Sequence, residues 1–204
     1  GCSGPQTTDQ WFSVLIAPGL GAPANNSTMT GSNVTLVAQD YGSGWNHIFR
    51  IAPAGQLDTA AASDYPSGGA NSFTVNFLEP GVYDWAAISC IYAQSACSRR
   101  MLVGRFTLAP PSAPTVTQAP ANGAASGTLT PTFSVSPMTL SDGTRAHYEV
   151  QLADSPDFTN VLWTATTPSD QPVTVQAGQL RSGQAVYWRM RSVDPGYSES
   201  AWTS

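Results

Sequence analysis

The chain has 204 residues, of which 41% are hydrophobic and only 10% are charged, a composition typical of a globular protein with one large or two small domains. Its net charge is −5, and its basic residues are all arginines that form no cluster, which argues against a nucleic-acid partner. No apolar run approaches the roughly 18 residues needed to span a bilayer, so no transmembrane segment is predicted. Sixteen prolines and 18 glycines favour strands and turns over helices.

A strand-like stretch, residues 11–16, lies in a tail of residues 1–17 that precedes the first predicted domain. Its side chains alternate between two faces, and many are aromatic or β-branched, which favours an extended strand. One face carries Phe12, Val14 and Ile16, and the other carries Trp11, Ser13 and Leu15. The tail begins Gly-Cys-Ser-Gly, a short pattern that also matches the remnant of a lipoprotein cleavage site with a lipidated Cys2.

Residues 18–109 and 112–204 are two copies of one pattern, joined by a short proline-rich linker. The offset between equivalent residues rises slowly, from 97 between Ala22 and Ala119 to 103 between Trp85 and Trp188. Such a drift indicates one architecture with small loop insertions. Each copy has about 100 residues, the size of an immunoglobulin-like sandwich.

Each copy is predicted to contain strands B, C, E and F in that order, with a further strand between C and E. Strand B is predicted at residues 33–39 and 130–136, C at 46–51 and 147–153, E at 73–77 and 173–175, and F at 78–90 and 180–193. A strand G follows only in the first copy, at residues 101–108.

Strand F organises both copies, because it follows a leucine and a glycine turn and then alternates. Trp85 shares one face with Tyr83, and Trp188 shares the matching face with Met190, so we expect both tryptophans to be core residues. The alternate residues of the second strand are expected to face water; they are Tyr187, Arg189 and Arg191.

Cys90 and Cys97 bracket six residues at the end of the predicted F–G hairpin. This spacing predicts a disulfide, with two free thiols as the alternative. Closing so short a loop would contribute about 2–3 kcal/mol in the chain-entropy model. The bond would also indicate an oxidising compartment, that is, an extracellular or cell-surface location.

The second copy resembles bacterial fibronectin type III-like domains of secreted or surface proteins over most of residues 112–204. The resemblance rests on YEVQLADSPDF at residues 148–158, VYWRMRSVD at 186–194 and SAW at 200–202. It implies an all-β fold of two tandem immunoglobulin-like (fibronectin type III-like) β-sandwiches, the first of them a more distant relative or an immunoglobulin-like variant. The family often has a corner tyrosine after the glycine turn; Val186 stands there in the second copy and Tyr83 in the first.

The ends of the chain do not match a self-contained pair, because a G-like strand precedes the first copy and the second copy stops where its own strand G is expected. Three interpretations remain open. The chain is a piece of a longer array, or Cys2 is a lipid anchor, or the chain polymerises. In the last case residues 11–16 would fill an open edge beside strand F of a neighbour's second sandwich.

The sequence contains no recognisable catalytic, phosphate-binding or zinc-binding motif, so we predict no enzyme, cofactor or metal site. His47 and His147 lie at or near the start of the two C strands and are interpreted as structural. Asp154 and Asp157 share one loop, where a turn is favoured over a calcium site.

Asn25, Asn26 and Asn33 each begin an Asn-x-Ser/Thr sequon. Six tryptophans also raise the possibility of a surface that stacks on sugars. The favoured function is a structural building block of an extracellular bacterial filament or surface assembly, a homo-oligomer joined head to tail through residues 11–16. The alternatives are an adhesin, with a surface glycan or protein as its ligand, or a spacer fragment of a larger secreted protein.

Overall fold

The computed structural model describes residues 18–39, 45–91, 96–98, 102–196 and 198–204, and within them it contains strands and turns but no α-helix. Two main hydrophobic cores divide the strands into two sandwiches, one on each side of residues 110–115. The predicted fold of two tandem fibronectin type III-like β-sandwiches is confirmed. The domain limits at 18–109 and 112–204 stay a prediction.

The first sandwich packs a three-stranded sheet against a six-stranded sheet. The smaller sheet has the order β1-β3-β6 and consists of β1 (Leu20–Ala22), β3 (Val34–Ala38) and β6 (Ser72–Val75). The larger sheet has the order β2-β9-β7-β4-β5, with β8 paired to β7. Its strands are β2 (Ser27–Thr30), β4 (Trp45–Pro53), β5 (Ser63–Pro66), β7 (Gly81–Ile91), β8 (Ala96–Cys97) and β9 (Val103–Ala109).

The sequence pattern does not predict β2. This strand pairs in parallel with β9, and its last residue, Thr30, lies beside Ala109. The Ala22–Pro23 peptide bond is cis and lies between β1 and β2, where the chain passes from one sheet to the other. Strand β2 therefore ends next to the start of the linker.

The second sandwich repeats this topology with two three-stranded sheets. One has the order β10-β11-β14 and the other β13-β12-β15. Their strands are β10 (Val116–Gln118), β11 (Thr132–Val135), β12 (His147–Ala153), β13 (Val161–Pro168), β14 (Val173–Thr174) and β15 (Tyr187–Val193). Strands β5 and β13 are the additional strands predicted between C and E, and β7 and β15 are the two F strands.

The two F strands supply the predicted tryptophans to their cores. Trp85 is completely buried among Phe49, Phe106 and other apolar side chains, so its prediction is confirmed. Trp188 is only partly buried; it packs edge-on against Phe133 of the second core, at 5.8 Å between ring centroids. The alternation of β7 and β15 therefore places the tryptophans on the predicted inner face.

Each sandwich is also fastened by one tyrosine hydroxyl, although at different places. Tyr83 donates a 2.8 Å hydrogen bond to the Glu79 carbonyl, which is the corner predicted for the first sandwich. In the second sandwich Tyr148 is fully buried, and its hydroxyl lies 2.9 Å from the carbonyls of Phe133 and Gln171. In the second sandwich the tyrosine hydroxyl bond thus comes from β12, the central strand of its sheet, and not from the corner before the F strand.

Removing the corner hydroxyl should destabilise the first sandwich modestly. Tyr83→Phe keeps the ring, which stacks on Phe106 at 5.5 Å, and removes only the bond to Glu79. We expect a loss of about 0.5–1.5 kcal/mol in the free energy of unfolding, measured by chemical denaturation. The matched control is Tyr187→Phe, because Tyr187 is 42% exposed. Equal losses in the two variants would contradict the role of the corner.

Candidate functional site

The edge of the second sandwich beside β15 is the site on which the predicted assembly depends. Residues 198–204 run antiparallel along one half of this edge. Met190 and Thr203 exchange two backbone hydrogen bonds of 2.7 Å, and the Ser200 amide donates to the Ser192 carbonyl at 2.9 Å. The prediction of an open edge is therefore wrong for the half of β15 next to Val193, because the chain's own last residues already cover it.

The other half of the same edge, residues 187–189, has no partner on this side within the part of the chain that the structure describes. Backbone groups that point to one neighbour alternate along an antiparallel strand. Since Met190 and Ser192 bond towards residues 198–204, the same alternation directs the N–H and C=O of Trp188 to this edge. The unpaired stretch is thus about three residues long, and it includes the exposed Tyr187.

Four side chains on the outer face of this sheet form a stack that we call the arginine ladder: Phe158, Arg189, Trp202 and Arg191. The Arg189 guanidinium lies between two rings, 4.2 Å from the centroid of Phe158 and 4.1 Å from that of Trp202. Arg191 lies 4.4 Å from the Trp202 centroid. Both arginines are partly buried, so the prediction that they simply face water is wrong.

Polar partners fix the two guanidinium groups in the ladder. Arg189 donates to Gln151 Oε1 at 3.0 and 2.7 Å. Arg191 is paired with Glu149 at 2.6 Å and also with Glu199, which belongs to the last segment of the chain. Because Trp202 and Glu199 both bind arginines of β15, the ladder fastens residues 198–204 to the sheet by side chains as well as by backbone bonds.

The first sandwich covers the equivalent outer face in another way. The loop after β4 folds over it, and Leu57 packs with Ala52 and Ala86 in a small apolar cluster. The buried Asp84 accepts a 2.6 Å bond from the Gly55 amide and two bonds from Arg105, at 2.6 and 2.9 Å. The Arg105 hydrogen bonds lower the pKa of the Asp84 carboxyl.

A buried carboxylate also organises the turn after β15. Asp194 is 2% exposed, accepts a 3.1 Å bond from the Ser198 amide and donates its own amide to the Ser198 carbonyl. Burial raises the pKa of this carboxyl, and the nearby charges of Asp142 and Glu79 add to the effect. The turn therefore carries an ionisable group in surroundings that disfavour its charge.

Of the site residues predicted from the sequence, the part of the chain that the structure describes contains the cysteine pair. Cys90 and Cys97 form a disulfide across the β7–β8 hairpin, as predicted. Cys2 and the candidate assembly strand, residues 11–16, lie outside the described residues. Their proposed roles therefore stay predictions.

The three sequons occupy different surroundings. Asn25 is exposed, and its side-chain oxygen accepts a 2.9 Å bond from the Arg105 amide. Asn26 is exposed in a left-handed backbone conformation with a φ of 62°. Asn33 donates to Asp142 Oδ2 at 3.2 Å across the two sandwiches, and a glycan on that nitrogen would remove this contact.

His47 and the two aspartate candidates form hydrogen bonds with polar side chains around them. His47 is buried, with Nδ1 3.2 Å from Ser89 Oγ beside the disulfide hairpin. Asp154 accepts from Asn160 at 2.6 Å, and Asp157 accepts from Ser155 at 2.5 Å and from Thr159 at 3.0 Å. These bonds stay within one loop, as expected for an aspartate-rich turn.

The sequence matches no known protein-family model and no curated protein. Solved structures do resemble the chain. The chicken CNTN1 FN1–FN3 domains are 10% identical, with a TM-score of 0.36 over 93% of this chain and 65% of that one. A two-domain fibronectin type III segment from chicken tenascin is 13% identical, with a TM-score of 0.39 over 92% and 97%.

The fibronectin(III)-like modules of Clostridium thermocellum CbhA are 12% identical, with a TM-score of 0.32 over 90% of this chain and 89% of that one. This chain therefore spans about two thirds of the CNTN1 structure and most of the other two. The fold assignment itself rests on the strand topology and the two cores. Among the described residues, no helix has the length and apolarity that a membrane span requires.

The ladder should hold the last segment of the chain against β15. Trp202→Ala removes the ring between the two arginines, and two cation–π contacts of about 0.5–1 kcal/mol each are lost. We expect amide hydrogen exchange at Met190 and Thr203 to accelerate roughly five- to thirtyfold. Tyr187→Ala, on the same strand but outside the ladder, is the control. Unchanged protection in Trp202→Ala would show that backbone pairing alone holds the segment.

Neutralising Asp194 should stabilise the protein at neutral pH. Because its folded-state pKa is raised, the ionised carboxylate costs stability above that pKa, and the cost disappears as the pH falls below the usual 3.8. Asp194→Asn keeps an oxygen acceptor and removes the charge, so its free energy of unfolding should exceed that of the natural chain at pH 7 and converge with it in acid.

Asp157→Asn is the opposite control. Hydrogen bonds from Ser155 and Thr159 lower the pKa of Asp157, so its ionised form adds stability above the usual 3.8, and this contribution is lost as the pH falls through the lowered folded-state pKa. The substitution should therefore lower stability at pH 7. A destabilised Asp194→Asn variant at that pH would contradict the interpretation. Both variants are measured by denaturation between about pH 2 and about pH 7, a range that extends below the usual carboxyl pKa.

Proposed function

We propose that this chain is a non-enzymatic building block of an extracellular filament or surface assembly, with subunits joined head to tail by strand addition. The observation that supports it is the unpaired part of β15, residues 187–189, at the edge of the second sandwich. Such an edge presents free N–H and C=O groups and can accept a strand from another chain.

Residues 11–16 are the proposed donor strand. Their alternation fits a strand with Phe12, Val14 and Ile16 on one face. The donor would extend the sheet at residues 187–189 and continue beyond them, because residues 198–204 already occupy the adjoining half. Since the first sandwich lies between the donor strand and β15 in sequence, the acceptor is the second sandwich of a neighbouring subunit.

Head-to-tail contact of this kind does not close on itself, so it generates a filament. Fibronectin type III-like sandwiches serve as structural modules of many proteins, and the fold leaves open an adhesin or a spacer within a larger secreted protein. Cys2 would then be a lipid anchor at the cell surface or an ordinary tail residue. A filament predicts long particles, whereas an adhesin or a spacer predicts monomers, so the experiment below separates the first possibility from the other two.

Deleting residues 1–17 should abolish polymers if these residues donate the strand. Sedimentation velocity and negative-stain electron microscopy of the full chain should show long assemblies, and the deleted chain should remain monomeric. A full chain that stays monomeric at high concentration would contradict the filament and favour the adhesin or spacer.

A pair of point variants tests the register of the donor strand. Val14→Asp places a charge on the face that carries Phe12 and Ile16, and it should prevent polymerisation because burying an unpaired carboxylate is costly. Ser13→Asp introduces the same charge on the opposite face and should leave polymers intact. Equal effects of the two substitutions would overturn the assignment of the buried face.

A further inference from the structure

The two sandwiches touch through more than the linker. Strand β2 ends at Thr30, beside Ala109, which is the last residue of β9 and precedes the linker. Within the linker, Pro111 and Pro114 are buried, although linker residues on either side of them are exposed. The parallel pairing of β2 therefore brings a second segment of the first sandwich to the point where the chain leaves it.

That second segment forms hydrogen bonds with the β11–β12 loop of the second sandwich. The Ser141 amide donates to the Thr30 carbonyl at 3.0 Å, and the Thr30 amide donates to Ser141 Oγ at 2.9 Å. The two hydroxyl oxygens lie 3.2 Å apart. These reciprocal bonds fix both the distance and the direction between the two segments, which a contact between flexible side chains would not do.

The residues that follow extend the contact. Asn33 Nδ2 donates to Asp142 Oδ2 at 3.2 Å, and Asp142 is itself held by the amide and hydroxyl of Thr144, at 2.9 and 2.6 Å. The Asp142 carboxylate also packs against Gly31: a β-carbon placed on that glycine would lie 2.9 Å from Asp142 Cγ. Gly31 has a φ of 96°, so this position favours glycine for its backbone as well.

The turn after β15 makes a third contact with the first sandwich. Gly196 lies directly against Ser32, and a β-carbon on Gly196 would overlap both Oγ and Cβ of that serine. Ser32 is 1% exposed, and its hydroxyl has no hydrogen-bond partner among the described residues. The two segments can therefore come this close because Gly196 has no side chain, and not because Gly196 forms a bond with Ser32.

We infer that these contacts hold the two sandwiches in a single relative orientation, so that the chain behaves as one rigid two-domain body. A linker alone leaves rotation about its axis free, but contacts at Ser141, Asp142 and Gly196 lie on two separate loops of the second sandwich and remove that freedom. Buried prolines stiffen the covalent connection itself. The inference goes beyond the proposed assembly, because it holds for a monomer as well as for a filament.

The test uses amide residual dipolar couplings of the full chain in a weakly aligning medium. One alignment tensor fitted to both sandwiches is expected for the natural chain. Gly196→Ala should force Ser32 and the turn apart and give two different tensors. Ser32→Gly combined with Gly196→Ala restores the space and should bring back a single tensor. Gly127→Ala is the matched control, because Gly127 has open space around its α-carbon and no left-handed backbone.

Two different tensors in the natural chain would overturn the inference, as would a Gly196→Ala variant whose tensor stays single and unchanged. The amide spectra within each sandwich report whether Gly196→Ala remains folded. Should the variant fail to fold, the double variant Ser141→Ala and Asn33→Ala provides the second test, since it removes both the hydroxyl that accepts from Thr30 and the amide that donates to Asp142. It is expected to give two tensors, and a single unchanged tensor would again refute a rigid joint between the two sandwiches.

Discussion

The strand that carries Trp85 lies between β4 and β9, and one of its faces packs against the opposite sheet while the other face points outward. Strand β15, which carries Trp188, has the same inner and outer faces but lies at the edge of its sheet. Because side chains alternate, each of these strands has an inner face and an outer face to be covered. The inner faces pack alike in both copies, with a tryptophan against apolar residues. The outer faces are covered by different groups in the two sandwiches.

In the first sandwich, small side chains allow a loop to lie on the outer face. Ala86 leaves room for Leu57, and Asp84 holds the loop through the Gly55 amide. In the second sandwich, the position equivalent to Ala86 is Arg189, at the same offset of 103 that relates the two tryptophans. Phe158, the counterpart of Leu57, then packs on a guanidinium instead of on an apolar patch, and Trp202 completes the stack.

Alternation along single segments was enough to predict strands B, C, E and F of both copies, and the spacing of the two cysteines was enough to predict the disulfide. Alternation could not predict β2, because Ser27–Thr30 is short and polar and is a strand only through its pairing with β9. The ladder was also missed, since Phe158, Arg189 and Trp202 come from three separate segments. An arginine at an outward position looks solvated in sequence, and only tertiary contact shows that two rings enclose it.

The joint between the sandwiches and the unpaired edge lie at opposite ends of β15. Gly196 follows the strand and meets Ser32, whereas Trp188 lies eight residues earlier. At roughly 3.3 Å per residue, the five steps from Trp188 to the end of the strand at Val193 alone span about 17 Å. A donor strand added at residues 187–189 would therefore bind away from the contacts between the sandwiches. If those contacts are rigid, successive subunits of a filament would keep a fixed relative orientation.

Asp194 explains why such a joint carries a stability cost. Its carboxylate accepts from the Ser198 amide and so fixes the turn that brings Gly196 to Ser32. The same burial that makes this bond effective raises the pKa of the group and disfavours its charge. An asparagine would relieve the charge but would accept the bond more weakly, because charge-assisted hydrogen bonds are the stronger ones. Compared with an asparagine, Asp194 thus gives a stronger hydrogen bond in the turn and a lower free energy of unfolding at neutral pH. Such a balance is expected where the position of a neighbouring domain depends on the turn.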